Sequence, residues 1–336
     1  MQKAFKYLLI FVFTSFYCLY GQSKVGTTAA NFLTIPIGVR ATGMGGAFVA
    51  VADDGSGAYW NPGGLSRNKQ GEVTIAHTKW IVDTKHDWLS TVIKLDNDNT
   101  IAFSINQLDY GEEEITTERD PEGTGQNWEA VDVAIGLSYA RNLTDRFSIG
   151  GTAKYVRQKI WNETASSFAL DVGLLFKTQL EGLNIGMSIT NFGTEMKLDG
   201  KDLMQAVDVD ESNTGNNENI VALLETDSWN LPLLYTLGLS YETYVWDEWK
   251  VLLACDAVYP NNNNPHINAG TEIAWNELLF IRVGGNSLFD NDALGNLSAG
   301  VGLACSFGKY RIKIDYSYMD YGIFEGISRY GISIMF

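Results

Sequence analysis

The chain has 336 residues, 24 Lys and Arg against 40 Asp and Glu, a formal net charge of −16 and 12% aromatic residues. That acidity excludes a nucleic-acid partner, which needs a basic surface. Past residue 21 no uninterrupted apolar stretch reaches the roughly 20 residues of a membrane-spanning helix.

Residues 1–21 have the layout of a secretory signal peptide. Lys3 and Lys6 form a basic start, and Leu8 to Tyr20 form an apolar stretch too short to cross a bilayer. Cleavage after Gly21 fits this layout, whereas lipidation at Cys18 is disfavoured by the bulky Tyr17 before it.

Residues 22–70 are rich in Gly and Ala, with Met44, Phe48 and Val51 at helix-like spacing. So apolar a segment needs cover, and the lumen of the barrel that follows offers it. The expectation is an N-terminal hatch, or plug. Gly43, Gly45 and Gly46 permit close backbone approach, and Asn61-Pro62-Gly63-Gly64 is turn chemistry. Arg40 needs a fork-shaped acceptor if buried, and the inward carboxylates Asp132 and Asp171 are candidates.

From residue 71 to 336 the pattern changes to period two. Fourteen strands are predicted: 71–80, 87–96, 99–109, 128–142, 146–161, 166–178, 182–193, 231–243, 248–259, 266–275, 278–286, 296–307, 310–319 and 328–336. In the fourth, Val131, Val133, Ile135, Leu137 and Tyr139 oppose Asp132, Ala134, Gly136, Ser138 and Ala140. In the twelfth, Leu297, Ala299, Val301, Leu303, Cys305 and Phe307 oppose Ser298, Gly300, Gly302, Ala304 and Ser306. A strand with one uniformly apolar face lies between unlike solvents. Short connections follow even-numbered strands and longer ones follow most odd-numbered strands, as in an antiparallel barrel of the bacterial outer membrane with both ends in the periplasm. Trp80, Trp88, Trp128, Trp161 and Trp229 fall at the outer interface, and Trp246, Trp249 and Trp275 at the inner one. Cys255 and Cys305 fall on apolar faces, as lipid-facing or buried thiols.

The loops 110–127 and 194–230 are acidic. Glu112, Glu113 and Glu114 in the first, and Asp208, Asp210 and Glu211 in the second, are either solvated surface or a docking surface. As a docking surface they would engage a protein, or lipopolysaccharide through divalent cations.

The run Arg40-Ala41-Thr42-Gly43-Met44-Gly45-Gly46-Ala47, followed by Ala52-Asp53-Asp54 and then Trp60-Asn61-Pro62-Gly63-Gly64-Leu65, resembles the hatch of FadL-like outer-membrane proteins. It is most similar to their PorV/PorQ branch, differing in Gly63 where the pattern has Ala. The resemblance implies a fourteen-stranded barrel plugged by its N-terminus. Its relatives either take up hydrophobic molecules or serve type IX secretion, where PorV-like barrels bind exported proteins at the cell surface.

No constellation carries catalysis, so the chain is read as a non-enzyme without cofactor. Gly43-x-Gly45-Gly46 lacks the third glycine of a dinucleotide fingerprint. His77 and His86 could meet across the first hairpin near the outer rim, but a surface pair is the plainer reading. Asp208-x-Asp210-Glu211 and Asp290-x-Asp292 lack the glycine and distal Glu of an EF-hand. Two functions stay open. One is a docking or accessory barrel for exported proteins, contacting a secretion-system barrel or the cargo. The alternative is a FadL-like transporter of apolar small molecules. It would use a pocket lined by Met44, Phe48, Tyr59 and Trp60, and an exit at strand kinks near Gly150-Gly151 or Gly284-Gly285.

Overall fold

The structure, a computed structural model, describes residues 25–208, 220–290, 297–324 and 326–336. The expected signal peptide, Asp210, Glu211 and Asp292 lie outside the described residues. Among those described, fourteen strands form the wall. They are β1 (Glu72–Lys79), β2 (Lys85–Lys94), β3 (Asn99–Glu114), β4 (Asn127–Asn142), β5 (Phe147–Ile160), β6 (Glu163–Lys177), β7 (Leu183–Gly193), β8 (Leu234–Trp246), β9 (Trp249–Pro260), β10 (His266–Trp275), β11 (Leu279–Leu288), β12 (Leu297–Phe307), β13 (Tyr310–Asp320) and β14 (Gly326–Met335). Each pairs antiparallel with its neighbours, and β14 returns to β1 with Met335 opposite Glu72 and Ser328 opposite Lys79. Closure leaves no unpaired edge, the condition for placing a sheet in lipid. No described helix is long and apolar enough to cross a membrane.

The alternation maps onto the two sides of the wall as expected. In β4, Ile135, Leu137 and Tyr139 are exposed while Ala134, Gly136, Ser138 and Ala140 face inward and are buried. In β12, Leu297, Val301 and Leu303 point out, and Ser298, Gly300, Gly302 and Ala304 point in. Large apolar side chains outside and small ones inside are the reverse of a soluble core. Both Cys255 and Cys305 are free and on the outer face.

The turns at the inner end are built locally. Asp96 accepts the backbone N–H groups of Asp98 and Asn99 at 2.8 and 2.7 Å between β2 and β3. Asn276 and Glu277 both adopt positive φ, 55° and 51°, at the centre of the turn that the Leu278 N–H closes on the Trp275 carbonyl at 2.9 Å, where a primed turn matches the strand twist. The Arg311 guanidinium steadies that turn, donating to the Glu277 carboxylate at 3.0 Å and its carbonyl at 2.5 Å.

Three expectations change. β3 does not stop at residue 109: it passes a bulge between Asp109 and Glu112 and continues, so Glu112, Glu113 and Glu114 are strand residues opposite Glu129, Trp128 and Asn127. The long loop before β8 carries ladders of its own, Met196–Lys197 with Ser228–Trp229 and Met204–Val207 with Ile220–Leu223. Trp88 is not at the interface. It lies on the inward face of β2, in register with Ala76, and is 4% exposed against the N-terminal segment.

That segment lies inside the wall. It contains two short helices, α1 (Val39–Gly43) and α2 (Gly57–Trp60), and a 3-10 turn, Pro62–Arg67. Its seat is made of backbone approach. A Cβ on Gly45 would stand 2.5 Å from the Gly285 nitrogen, and one on Gly63 2.6 Å from the Gly173 carbonyl oxygen. Gly150 and Gly284 likewise face inward against Pro62 and Met44. The Gly150-Gly151 pair sits in unbroken register with β4 and β6, so it is a seat for the segment and not a kink. The bulge near Gly284-Gly285 falls just beyond them, where Asn286 and Ser287 face Asn268 alone.

Candidate functional site

The lumen holds three features: a buried ion network toward the inner end, a polar cavity toward the outer end, and an apolar hollow at the outer mouth.

The inner network grows from α1. Arg40 grips Glu272 of β10 with two bonds, Nε and Nη2 each donating at 2.9 Å, and also donates to Asp53 at 2.5 Å. Asp54 lies 3.5 Å from the same guanidinium. Glu272 in turn accepts from Arg282 of β11 at 2.6 Å, and Arg282 donates to Asp315 of β13 at 2.6 Å. One carboxylate between two guanidiniums ties the segment to three wall strands, with the planar fork geometry that arginine supplies. Burial opposes the Arg40 charge, but Asp53, Glu272 and Asp54 outweigh it and hold the group well above its ordinary value. The expected Arg40 partners are therefore wrong. Asp132 accepts from Tyr110 and Gln158, and Asp171 from Lys154 and the Asn191 backbone, because the register places both away from α1.

Asn61, fully buried, fastens the turn after α2. Its side chain donates to the carbonyls of Val49 and Leu174 at 2.7 and 2.9 Å and accepts the Gly63 N–H at 3.0 Å. Pro62 follows at the start of the 3-10 turn, where a missing N–H is harmless. Arg67 closes the segment on Ser148 and the Asp145 carbonyl, and burial pulls its guanidinium below the ordinary value. Beneath this layer a charged cavity of about 440 Å³ opens at the inner end, lined by Arg40, Asp53, Glu72, Lys313 and their neighbours.

The polar cavity measures about 780 Å³ and is bordered by Tyr59, Trp60, Asn262, Asn268, Asn286 and Tyr321. Of the four residues expected to line one apolar pocket, Tyr59 and Trp60 meet edge to face at 5.1 Å on its wall. Met44 and Phe48 do not reach it. Both are completely buried, Met44 under the backbone of β10 and β11 and Phe48 behind Trp60. The Tyr59 hydroxyl donates to the Leu33 and Ile35 carbonyls, and burial pushes it above its ordinary value.

The hollow at the outer mouth measures about 750 Å³. Trp128, Ile160, Met196, Leu198 and Trp229 wall it, with Asp132 at one side and Glu225 and Asp227 on the folded loop. Of the expected docking residues, the Glu112–Glu114 run is exposed on the β3 extension and Asp208 is exposed at the end of a loop ladder.

His77 and His86 do not meet. Being on alternate sides of their hairpin, His77 points outward to Asp87 at 2.6 Å, and His86 is buried inward against Asn106 at 2.6 Å. Sequence reading missed Glu272, Arg282 and Asp315. The signal was available: Arg282 falls between Ile281 and Val283 in mid-strand, and a charge there must face the lumen.

A family model described as "Type IX secretion system protein PorV" matches residues 20–208, more than half of the chain. The chain belongs to the PorV family. The match covers the N-terminal segment and β1 to β7, so the PorV assignment includes the layer that carries Arg40 and Asn61. No curated protein matches the sequence. Among solved structures, the toluene transporter TodX of P. putida is similar at 12% identity, over 89% of this chain and 96% of that one, with a TM-score of 0.55. The toluene transporter TbuX of Ralstonia pickettii matches at 12% identity, over 89% and 97%, with a TM-score of 0.53. A FadL homologue of Pseudomonas aeruginosa matches at 11% identity, over 89% and 98%, with a TM-score of 0.51. At such identities the likeness is one of fold. This PorV-family protein is a multi-pass β-barrel of the outer membrane, with its exposed apolar wall in contact with lipid.

Proposed function

We propose that this barrel is a docking or accessory component for proteins exported to the cell surface by a type IX secretion route. The observation that carries the reading is the hollow at the outer mouth, where two tryptophans and aliphatic side chains are rimmed by the carboxylates Glu225 and Asp227. Such a surface suits an extended segment of an exported protein that presents apolar anchors flanked by basic residues. Family membership points the same way. The transport alternative has less support, because Met44 and Phe48 are sealed away from the Tyr59–Trp60 wall and the cavity it borders mixes asparagine amides with apolar side chains.

The test is purification from native outer membranes in mild detergent, comparing wild type with a Trp128→Ala/Trp229→Ala variant by mass spectrometry. Wild type should retain an exported or secretion-system protein that the variant loses, while both keep the gel-mobility shift on heating that marks a folded barrel. An enriched apolar small molecule with no retained protein would replace docking with transport.

A further inference from the structure

Arg329 lies on the inward face of β14, in register with Thr78 of β1, and is 1% exposed. Its Nε, Nη1 and Nη2 all lack a hydrogen-bond partner among the described residues. Arg40 and Arg282 are gripped by carboxylates, and Arg67 donates to the Ser148 hydroxyl and the Asp145 carbonyl. An uncompensated charge in such a place costs several kcal/mol, so a position filled only for packing would favour an apolar residue of similar volume.

The surroundings define what Arg329 is placed to bind. The ring of Trp80 covers the guanidinium, 5.6 Å from centroid to carbon, and leaves the edge donors free. Tyr321 meets Trp80 edge to face at 5.3 Å, and both Tyr59 and Tyr321 lie close enough to feel the Arg329 charge. Two more buried donors in the same corner of the wall, Trp88 Nε1 and Asn106 Nδ2, also lack partners. The unmet groups here are donors, and Tyr59 and Tyr321 separate them from the polar cavity.

We propose that this corner is a binding site for a carboxylate, with Arg329 as its receptor and the polar cavity as its entrance. A guanidinium with its face covered and its edge free offers the two parallel donors that match a planar carboxylate. The aromatic walls accept a flat organic body behind the charged group. The carboxylate belongs either to a free small acid or to a peptide. The site does not depend on the docking hypothesis, since Arg329, Trp80, Trp88 and Asn106 are not among the residues that line the hollow.

Calorimetric titration of the full-length mature protein in a non-ionic detergent tests this. The probes are benzoate against benzamide, and acetyl-Gly-Gly-Phe as the free acid against its amide. At least one acid should bind tenfold or more tightly than its amide, and Arg329→Met should abolish the preference. The tighter acid identifies the source as a free acid or a peptide. Without ligand, R329M should melt at or above the wild-type temperature. No acid preference in wild type, a preference that survives in R329M, or a clear loss of stability in R329M would each overturn the proposal. If R329M fails to give a heat-modifiable barrel, R329Q replaces it, with the same preference to be lost.

Discussion

The inner and outer halves of the lumen are filled by different physics. Toward the periplasmic end the N-terminal segment is pressed backbone to backbone against strand glycines, and its arginine shares Glu272 with a wall arginine. Toward the outside the same lumen opens into two cavities of about 750 and 780 Å³, and Arg329 remains unpaired. The inner half behaves as a fastening, where buried charges neutralise one another across the segment and the wall. In the outer half, apolar walls border open space, and the free donors of Arg329 sit behind Tyr59 and Tyr321. The inner arginines find carboxylates within the chain, and Arg329 alone among the described arginines has all three of its donor nitrogens buried and unpaired.

The comparison can be broken at several points. Removing residues 25–66 has the largest expected effect: a closed barrel should become an ion-conducting one in planar bilayers. Conductance equal to wild type would mean the segment does not close the lumen. Next comes Glu272→Ala, which leaves two buried guanidiniums without their shared acceptor and should cost about 3–5 kcal/mol. Unfolding in denaturant reads this, and a double Arg40→Met/Glu272→Met variant should recover much of the loss. Gly45→Ala should cost about 1–3 kcal/mol by overpacking against Gly285, where φ of 67° adds strain. Limited proteolysis should then cut the N-terminal segment faster, with the barrel intact.

The smallest effect sharpens the contrast from outside the membrane. The Arg311 hydrogen bond holds Glu277 below the usual carboxylate range. A carboxylate with a lowered folded-state pKa stabilises above its unfolded value and loses that contribution as pH falls through the folded one. The stability difference between wild type and Glu277→Gln should therefore shrink on acidification from neutral pH. Because the pair is half exposed, it should not exceed about 1 kcal/mol even at neutral pH.

The wall was legible because its cause is local. Alternation between lipid and lumen marks every strand, and connection length sets the count. The misses have one shared origin. Glu112–Glu114 looks like loop, yet pairing across a bulge extends β3 through it. Trp88 resembles an interfacial indole, yet its register turns it inward onto Tyr59 at 6.2 Å. Gly150 and Gly284 read as kinks, because nothing within their strands says that Pro62 and Met44 will arrive against them. Arg40 advertised a need for a carboxylate, but several inward carboxylates satisfied the pattern equally.

The sequence by itself determined the barrel, its strand number, its lipid-facing surface and the family of its N-terminal segment, since period-two hydrophobicity and short-range motifs record those directly. Only the tertiary structure decided which carboxylate holds Arg40, that Met44 and Phe48 are sealed from the cavity, and that Arg329 has no partner. Those outcomes depend on the register that packs α1 against β12 and β13 with the Arg40 side chain reaching Glu272 of β10, and contacts between residues more than two hundred positions apart leave no trace in the local pattern.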